Sequence, residues 1–249
     1  MNADMGRPSA GEPIRLTREV MASMIDHAIL NPEMTRNELD AQLASAADQG
    51  VFSVFVPTRD TKHAVRFLAG SGVIVGAPIG FPHGSNSSPS KFAEVIQALD
   101  DGASEIDVVQ QIGWLRSGRD AEVEGELREV VRLSRGHVVK VILETAYLND
   151  DEIARGSAMT ERVGADFVKT STGFAHAGAT LDALRIMRSN VGPQVSVKAS
   201  SGVRTLDMAI SMMHVGVTRF GMSATTTILA ELEARLASGE EIVIDPAKP

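Results

Sequence analysis

Phe167-Val168-Lys169-Thr170-Ser171-Thr172-Gly173-Phe174 is a short apolar run that reaches a lysine and then breaks into hydroxyl and glycine residues. Strand alternation puts Phe167 and Lys169 on one face and Val168 on the other. If the run is a strand of a closed parallel barrel, Lys169 projects inward near the strand's C-terminal end, where barrel chemistry sits. Desolvation disfavours an ammonium ion, and a lysine amine that sheds its proton can attack a carbonyl and form a Schiff base. The plainer alternative is a strand-end lysine whose stem lies on apolar surface while its charge reaches water.

On both sides of that run, short apolar segments alternate with amphipathic ones. Strands are read at 24–30, 51–56, 73–77, 106–109, 138–144, from 167, at 195–199 and at 217–221. Helix signals fall between them. Thr35 with Glu38 makes a capping box and Gly50 a stop, Ser88 reads as a cap with Pro89 in the first turn, Asn149 opens a helix, and Thr205 caps another. A short helix at about 16–23 precedes the first strand. Eight strands alternating with eight helices, with no Gly/Ser-rich linker, predict an α/β fold: a single (β/α)8 TIM barrel over 15–244. A flexible arm (1–14) and a flexible tail (245–249) are expected to flank it. The rival, an open doubly wound sheet, would carry a G-x-G-x-x-G turn after its first strand, and this chain has none there.

Charge narrows the function classes. With 24 basic and 32 acidic side chains the formal charge is −8, which argues against a nucleic-acid partner but leaves room for a local pocket that takes one small anion. The chain contains no cysteine, so disulfides and thiol chemistry are excluded, and a reducing, cytoplasmic setting is the expectation. Nothing approaches eighteen consecutive apolar residues, and no membrane-spanning helix is expected.

Polar residues late in apolar strands carry the most information. Asp26, Asp107, Lys140, Glu144, Lys169 and Lys198 all qualify. Lys198 shares an inward face with Ser196 and lies on the strand after that of Lys169, and a neighbouring ammonium disfavours the protonated form of a lysine. Asp107 can pass a proton through a water or sit in a structural salt bridge, and the residue alone leaves both readings open. Three loops, Ser171-Thr172-Gly173, Ser200-Ser201-Gly202 and Gly221-Met222-Ser223-Ala224, end three consecutive strands in small residues. Such loops let backbone N–H groups approach an anion, and barrel phosphate sites often follow strands seven and eight. His27, His83 and His176 lie near the same end but lack metal-ligand spacing, so no catalytic metal and no cofactor are expected.

These segments together resemble the deoxyribose-phosphate aldolases, class I aldolases on a single barrel. The resemblance runs over about residues 20–235. It is densest at Phe-Val-Lys-Thr-Ser-Thr-Gly-Phe (167–174) and Val-Lys-Ala-Ser-Ser-Gly-Val-Arg-Thr (197–205), with support from Ile25-Asp26-His27, Gly80-Phe81-Pro82-His83-Gly84, Glu105-Ile106-Asp107-Val108-Val109 and Lys140-Val141-Ile142-Leu143-Glu144-Thr145. It implies that Lys169 is the Schiff-base lysine, Lys198 the lysine that tunes it and Asp107 a proton-relay partner. It also implies a substrate and phosphate site around Asp26, Thr172, Gly173, Ser201, Gly202, Gly221 and Ser223. The implied reaction is reversible cleavage of 2-deoxy-D-ribose 5-phosphate to glyceraldehyde 3-phosphate and acetaldehyde, with phosphosugars and aldehydes as partners.

The chain departs from the family pattern at Ser201-Gly202, where two glycines are usual, at Pro57-Thr58 for Asn-Pro, and at Gln111 for Asn. These positions bear on the acceptor aldehyde and on phosphate affinity. The alternatives are an aldolase of the same class with another acceptor, a phosphosugar isomerase or metal-assisted lyase on the same barrel, and a non-catalytic sugar-phosphate binder. A homodimer is a further expectation, without a named interface.

Overall fold

In the computed structural model, which describes residues 13–245, eight parallel strands close into a barrel. They are β2 (Ile25–Ala28), β3 (Ser53–Phe55), β4 (Ile74–Ile79), β5 (Glu105–Val109), β6 (Val138–Ile142), β7 (Phe167–Lys169), β8 (Ser196–Ser200) and β9 (Val217–Met222), and β9 pairs with β2 to seal the ring. The expected TIM barrel and its eight strands are therefore observed, each followed by helix. Most of the arm expected over 1–14 lies outside the described residues, as does most of the tail. The described end of the arm is a strand: β1 (Ile14–Arg15) pairs antiparallel with β10 (Val243–Ile244), and Ile244 is buried.

Alternation along the strands sorts the residues into two layers. In β6, Val139 and Val141 turn outward to meet the helices while Lys140 and Ile142 turn into the barrel. Outward residues such as Val54, Val75, Val108 and Val168 join helix residues such as Leu43, Val95, Leu127 and Met187 in the continuous apolar core. Area burial in that layer drives folding. The barrel interior is different, because Asp26, Glu105, Asp107, Lys140, Lys198 and Arg219 are all buried in it.

Local signals place the helices. Thr35 and Asn149 form capping boxes with Glu38 and Glu152, and Thr205 caps Leu206–His214. The helix Ser88–Asp100 differs from its expected start: Ser87, not Ser88, is the N-cap residue, and the Ser88 hydroxyl donates to buried Glu126 at 2.7 Å. The short helix Ile112–Arg116 was not anticipated, since five residues are too few to show a period. Among the described residues no helix is long and apolar enough to cross a membrane.

Candidate active site

The register of the barrel brings the strand-end charges together. Lys169 stands directly beside Lys198 across β7 and β8, and Asp107 beside Lys140 across β5 and β6. Asp107 Oδ2 accepts from Lys169 Nζ at 2.7 Å and from Lys198 Nζ at 2.7 Å, while its Oδ1 accepts from Lys140 Nζ at 2.9 Å. Lys140 also donates to Glu105, and Lys198 pairs with Asp26. Arg219 Nη1 reaches Asp26 Oδ1 at 2.8 Å, an oxygen that also accepts from Ser53 Oγ at 2.7 Å. Four cationic side chains thus share three carboxylates.

An aromatic floor supports them. The Phe55 ring centroid lies 4.2 Å from Lys198 Nζ, 4.5 Å from Lys140 Nζ and 5.6 Å from Lys169 Nζ. Its negative face offsets part of the positive surplus. Glycine at position 76 makes room for this ring, since a Cβ there would fall 2.2 Å from Phe55 Cζ. The register between β8 and β9 also shifts by one residue at Val197/Lys198, which brings Lys198 beside Arg219.

The electrostatics follow from burial and partners. Burial opposes charge on Asp107 and Asp26, yet the adjacent cations hold both carboxyls well below the usual range: Lys140, Lys169 and Lys198 around Asp107, Lys198 and Arg219 around Asp26. Burial likewise opposes charge on Lys140, but Asp107 and Glu105 outweigh it and hold the ammonium firmly protonated. Lys198 behaves otherwise. Burial pushes it down to about 8, with Lys169 and Lys140 acting in the same sense against Asp107 and Asp26.

A cavity of about 230 Å³ opens above the lysines. Asp26, Lys169, Lys198 and Gly221 line it from the strands, and Thr172, Gly173, Ser201, Gly202 and Ser223 line it from the loops. Of the residues that the resemblance places in the site, all but the fully buried Asp107 face this space, whereas the strand-end candidates Lys140 and Glu144 do not line it. Ser201 holds a left-handed backbone (φ 64°) between the cavity and the 173–180 loop, and its carbonyl accepts from Ala179 N at 3.0 Å. The next helix, Thr225–Ala237, begins at the rim without a side-chain cap, so its first N–H groups and its dipole favour an anion there.

Glu105 and Arg219 complete the charged network although the sequence reading did not single them out. Alternation from Asp107 places Glu105 on the same inward face, and Arg219 interrupts the apolar run of β9. His27 lies outside the site: it faces the helices, bonded to Thr225 Oγ1 at 2.8 Å and Gln42 Oε1 at 3.1 Å, and burial lowers its pKa. Glu144, left-handed at φ 58°, accepts from the Thr172 hydroxyl and so braces the loop that carries Gly173; burial raises its pKa. Among the described residues no group of three or more His, Cys, Asp or Glu is arranged to hold a metal ion.

Known proteins resemble this chain in sequence and in fold. The chain is 45% identical over 213 residues to a Staphylococcus aureus (strain MRSA252) protein named deoxyribose-phosphate aldolase 2, covering 86% of this chain and 97% of the relative. Among solved structures, the tetrameric deoxyribose phosphate aldolase of Aeropyrum pernix superposes with a TM-score of 0.82 at 31% identity, over 88% of this chain and 94% of that one. The aldolase QR15 gives 0.83 at 36% identity, over 88% and 98%. The model of the DeoC/LacD family aldolases matches residues 20–229, which include all three strand-end lysines and every loop of the cavity. On that match the chain belongs to the DeoC/LacD aldolase family.

Proposed function

We propose that the protein is a deoxyribose-phosphate aldolase acting through a Schiff base on Lys169. The observation that carries this reading is the shared acceptor: one Asp107 oxygen holds Lys169 and Lys198 at 2.7 Å each, and both lysines face the cavity. Such an arrangement lets a proton leave one amine for the other through a single carboxylate.

In the cleavage direction, Lys169 Nζ adds to the C1 aldehyde of open-chain 2-deoxyribose 5-phosphate, and loss of water leaves an iminium. The C3 hydroxyl gives up its proton to the Asp107–Lys198 pair through a water, because Asp107 itself does not line the cavity. The C2–C3 bond breaks, its electron pair moves into the iminium to give an enamine, and C3 departs as the aldehyde of glyceraldehyde 3-phosphate. The same pair returns the proton to C2. Water then hydrolyses the iminium, releasing acetaldehyde and the free amine.

The phosphate belongs at the rim, on the N–H groups around Gly173 and Gly202 and at the start of Thr225–Ala237, with the Ser223 hydroxyl beside it. Asp26 and Thr172 complete the substrate site. The Ser201 side chain adds a group to this rim, which supports a narrower reading in which the acceptor aldehyde differs from that of other family members. Self-association as a homodimer belongs to the same proposal and is read by light scattering.

Borohydride reduction in the presence of acetaldehyde or the sugar phosphate is expected to fix the adduct on the peptide containing Lys169. Label confined to another lysine, or absent, would remove the mechanism.

A further inference from the structure

We propose that Ser200 is a specificity-determining residue whose hydroxyl recognises the C4 hydroxyl of the sugar phosphate, the same group as the C2 hydroxyl of the acceptor aldehyde in the reverse direction. This rests on the aldolase reading above and assigns one more contact within that site.

Three observations converge on the residue. Its backbone is committed: Ser200 N donates to Thr170 Oγ1 at 3.0 Å, and its carbonyl accepts from Thr170 Oγ1 and from Ala179 N, each at 3.2 Å. Its side chain is not. Ser200 is 4% exposed and lines the cavity, yet its Oγ has no hydrogen-bond partner among the described residues. Leaving a buried hydroxyl unpaired is costly unless a ligand supplies the bond. Ser171 Oγ and Gln110 Oε1 are unpartnered as well, but neither lines the cavity.

The third observation is the space beside it. A Cβ added to Gly221 on the neighbouring strand would fall 2.3 Å from Ser200 Oγ and 3.2 Å from Lys198 Cε. Glycine there keeps open the approach to both groups from β9.

Position along β8 selects the substrate atom. Ser196, Lys198 and Ser200 share the inward face, and Ser200 lies about 6–7 Å beyond Lys198 at the strand rise, just before the Ser201-Gly202 rim. A substrate joined to Lys169 through C1 and held at the rim by its phosphate must lay its middle carbons across this interval. The C3 oxygen is occupied with Asp107 and Lys198 at the deep end. The C4 hydroxyl is the one level with Ser200.

The test compares two acceptors in condensation with saturating acetaldehyde: glyceraldehyde 3-phosphate and 3-oxopropyl phosphate, which lacks only the hydroxyl. The wild-type protein is expected to favour the first in kcat/KM by about 10-fold or more. Ser200→Ala is expected to erase most of that preference by lowering kcat/KM for the hydroxylated acceptor alone, with borohydride trapping of acetaldehyde on Lys169 unchanged. A wild-type protein indifferent to the hydroxyl would overturn the assignment, and this arm needs no variant, so it decides the matter even where the alanine protein does not fold. An alanine variant that keeps the preference, or that loses both acceptors equally, would overturn it too. Absence of a trapped adduct in the wild type would instead sink the aldolase reading.

Discussion

Among the described residues lysines are buried in two places, and only one of them opens on a cavity. On the flank, between the helices Ser88–Asp100 and Asp120–Leu133, Lys91 is wholly enclosed and donates to Glu126 Oε1 at 2.6 Å and to the Val109 carbonyl at 2.8 Å. The other Glu126 oxygen accepts from Ser88 and Gln111. One cation meets one anion, and both carboxylate oxygens are used. In the barrel mouth, Lys140, Lys169, Lys198 and Arg219 contend for Asp26, Glu105 and Asp107, and two of the lysines face a cavity. Burial alone therefore does not mark a reactive lysine. A positive surplus beside an open volume does, because a proton can leave without stranding a charge.

The largest expected effect tests that surplus directly. Lys169→Ala should lower turnover on the order of 10⁵-fold, the scale for loss of a covalent nucleophile, and abolish trapping. It should leave thermal stability unchanged or higher, since the remaining three cations match three carboxylates. A large fall in melting temperature, measured by calorimetry, would show that the mouth is as balanced as the flank.

The flank should respond in the opposite way. Lys91→Met strands the Glu126 carboxylate and is expected to cost about 3–5 kcal/mol in urea unfolding, with Lys91→Met/Glu126→Leu recovering most of the loss. Specific activity of the folded fraction should be retained in the double variant. A double variant no more stable than the single one would mean that Glu126 is held by Ser88 and Gln111 rather than by Lys91.

Lys198→Leu is expected to give the smallest change, a fall in kcat of about 10²-fold, typical of a lost proton-transfer group. The wild-type pH–rate profile should show a titration near the Lys198 value of about 8 that the variant lacks. Stability carries a second signature. Lys198 is depressed in the folded protein from 10.5 to about 8, so between those values the unfolded chain binds the extra proton. Stability from this group therefore rises with pH across that window and is lost as pH falls through about 8. The leucine variant should lack that rise, and identical slopes in the two proteins would argue against the buried Lys198 ammonium.

Much of the fold was legible because it is written in local periods. Val139 and Val141 alternating with Lys140 and Ile142, or Thr35 answered by Glu38, are patterns of a few residues that need no distant partner. The pairing of Ile14 with Ile244 was not legible, because two-residue strands have no period and their ends meet only after the barrel closes. Within the site, Lys169, Lys198 and Asp107 stood out as charges inside apolar runs. Glu105 begins its strand, where a charge reads as a boundary, and Arg219 follows polar Thr218, so neither broke a pattern strongly enough to be noticed.

The amino-acid order by itself determined that eight strands would each turn one face to helices and one inward, and which strands would carry charge inward. The closed ring decided the rest: that Asp107 would receive Lys169 and Lys198 on one oxygen from 62 and 91 residues away, that Phe55 would lie beneath them in the space left by Gly76, and that the cations would outnumber the carboxylates. Alternation is a property of each strand alone. The sharing of a proton acceptor depends on the stagger between strands, and that is set only when the ring closes on itself.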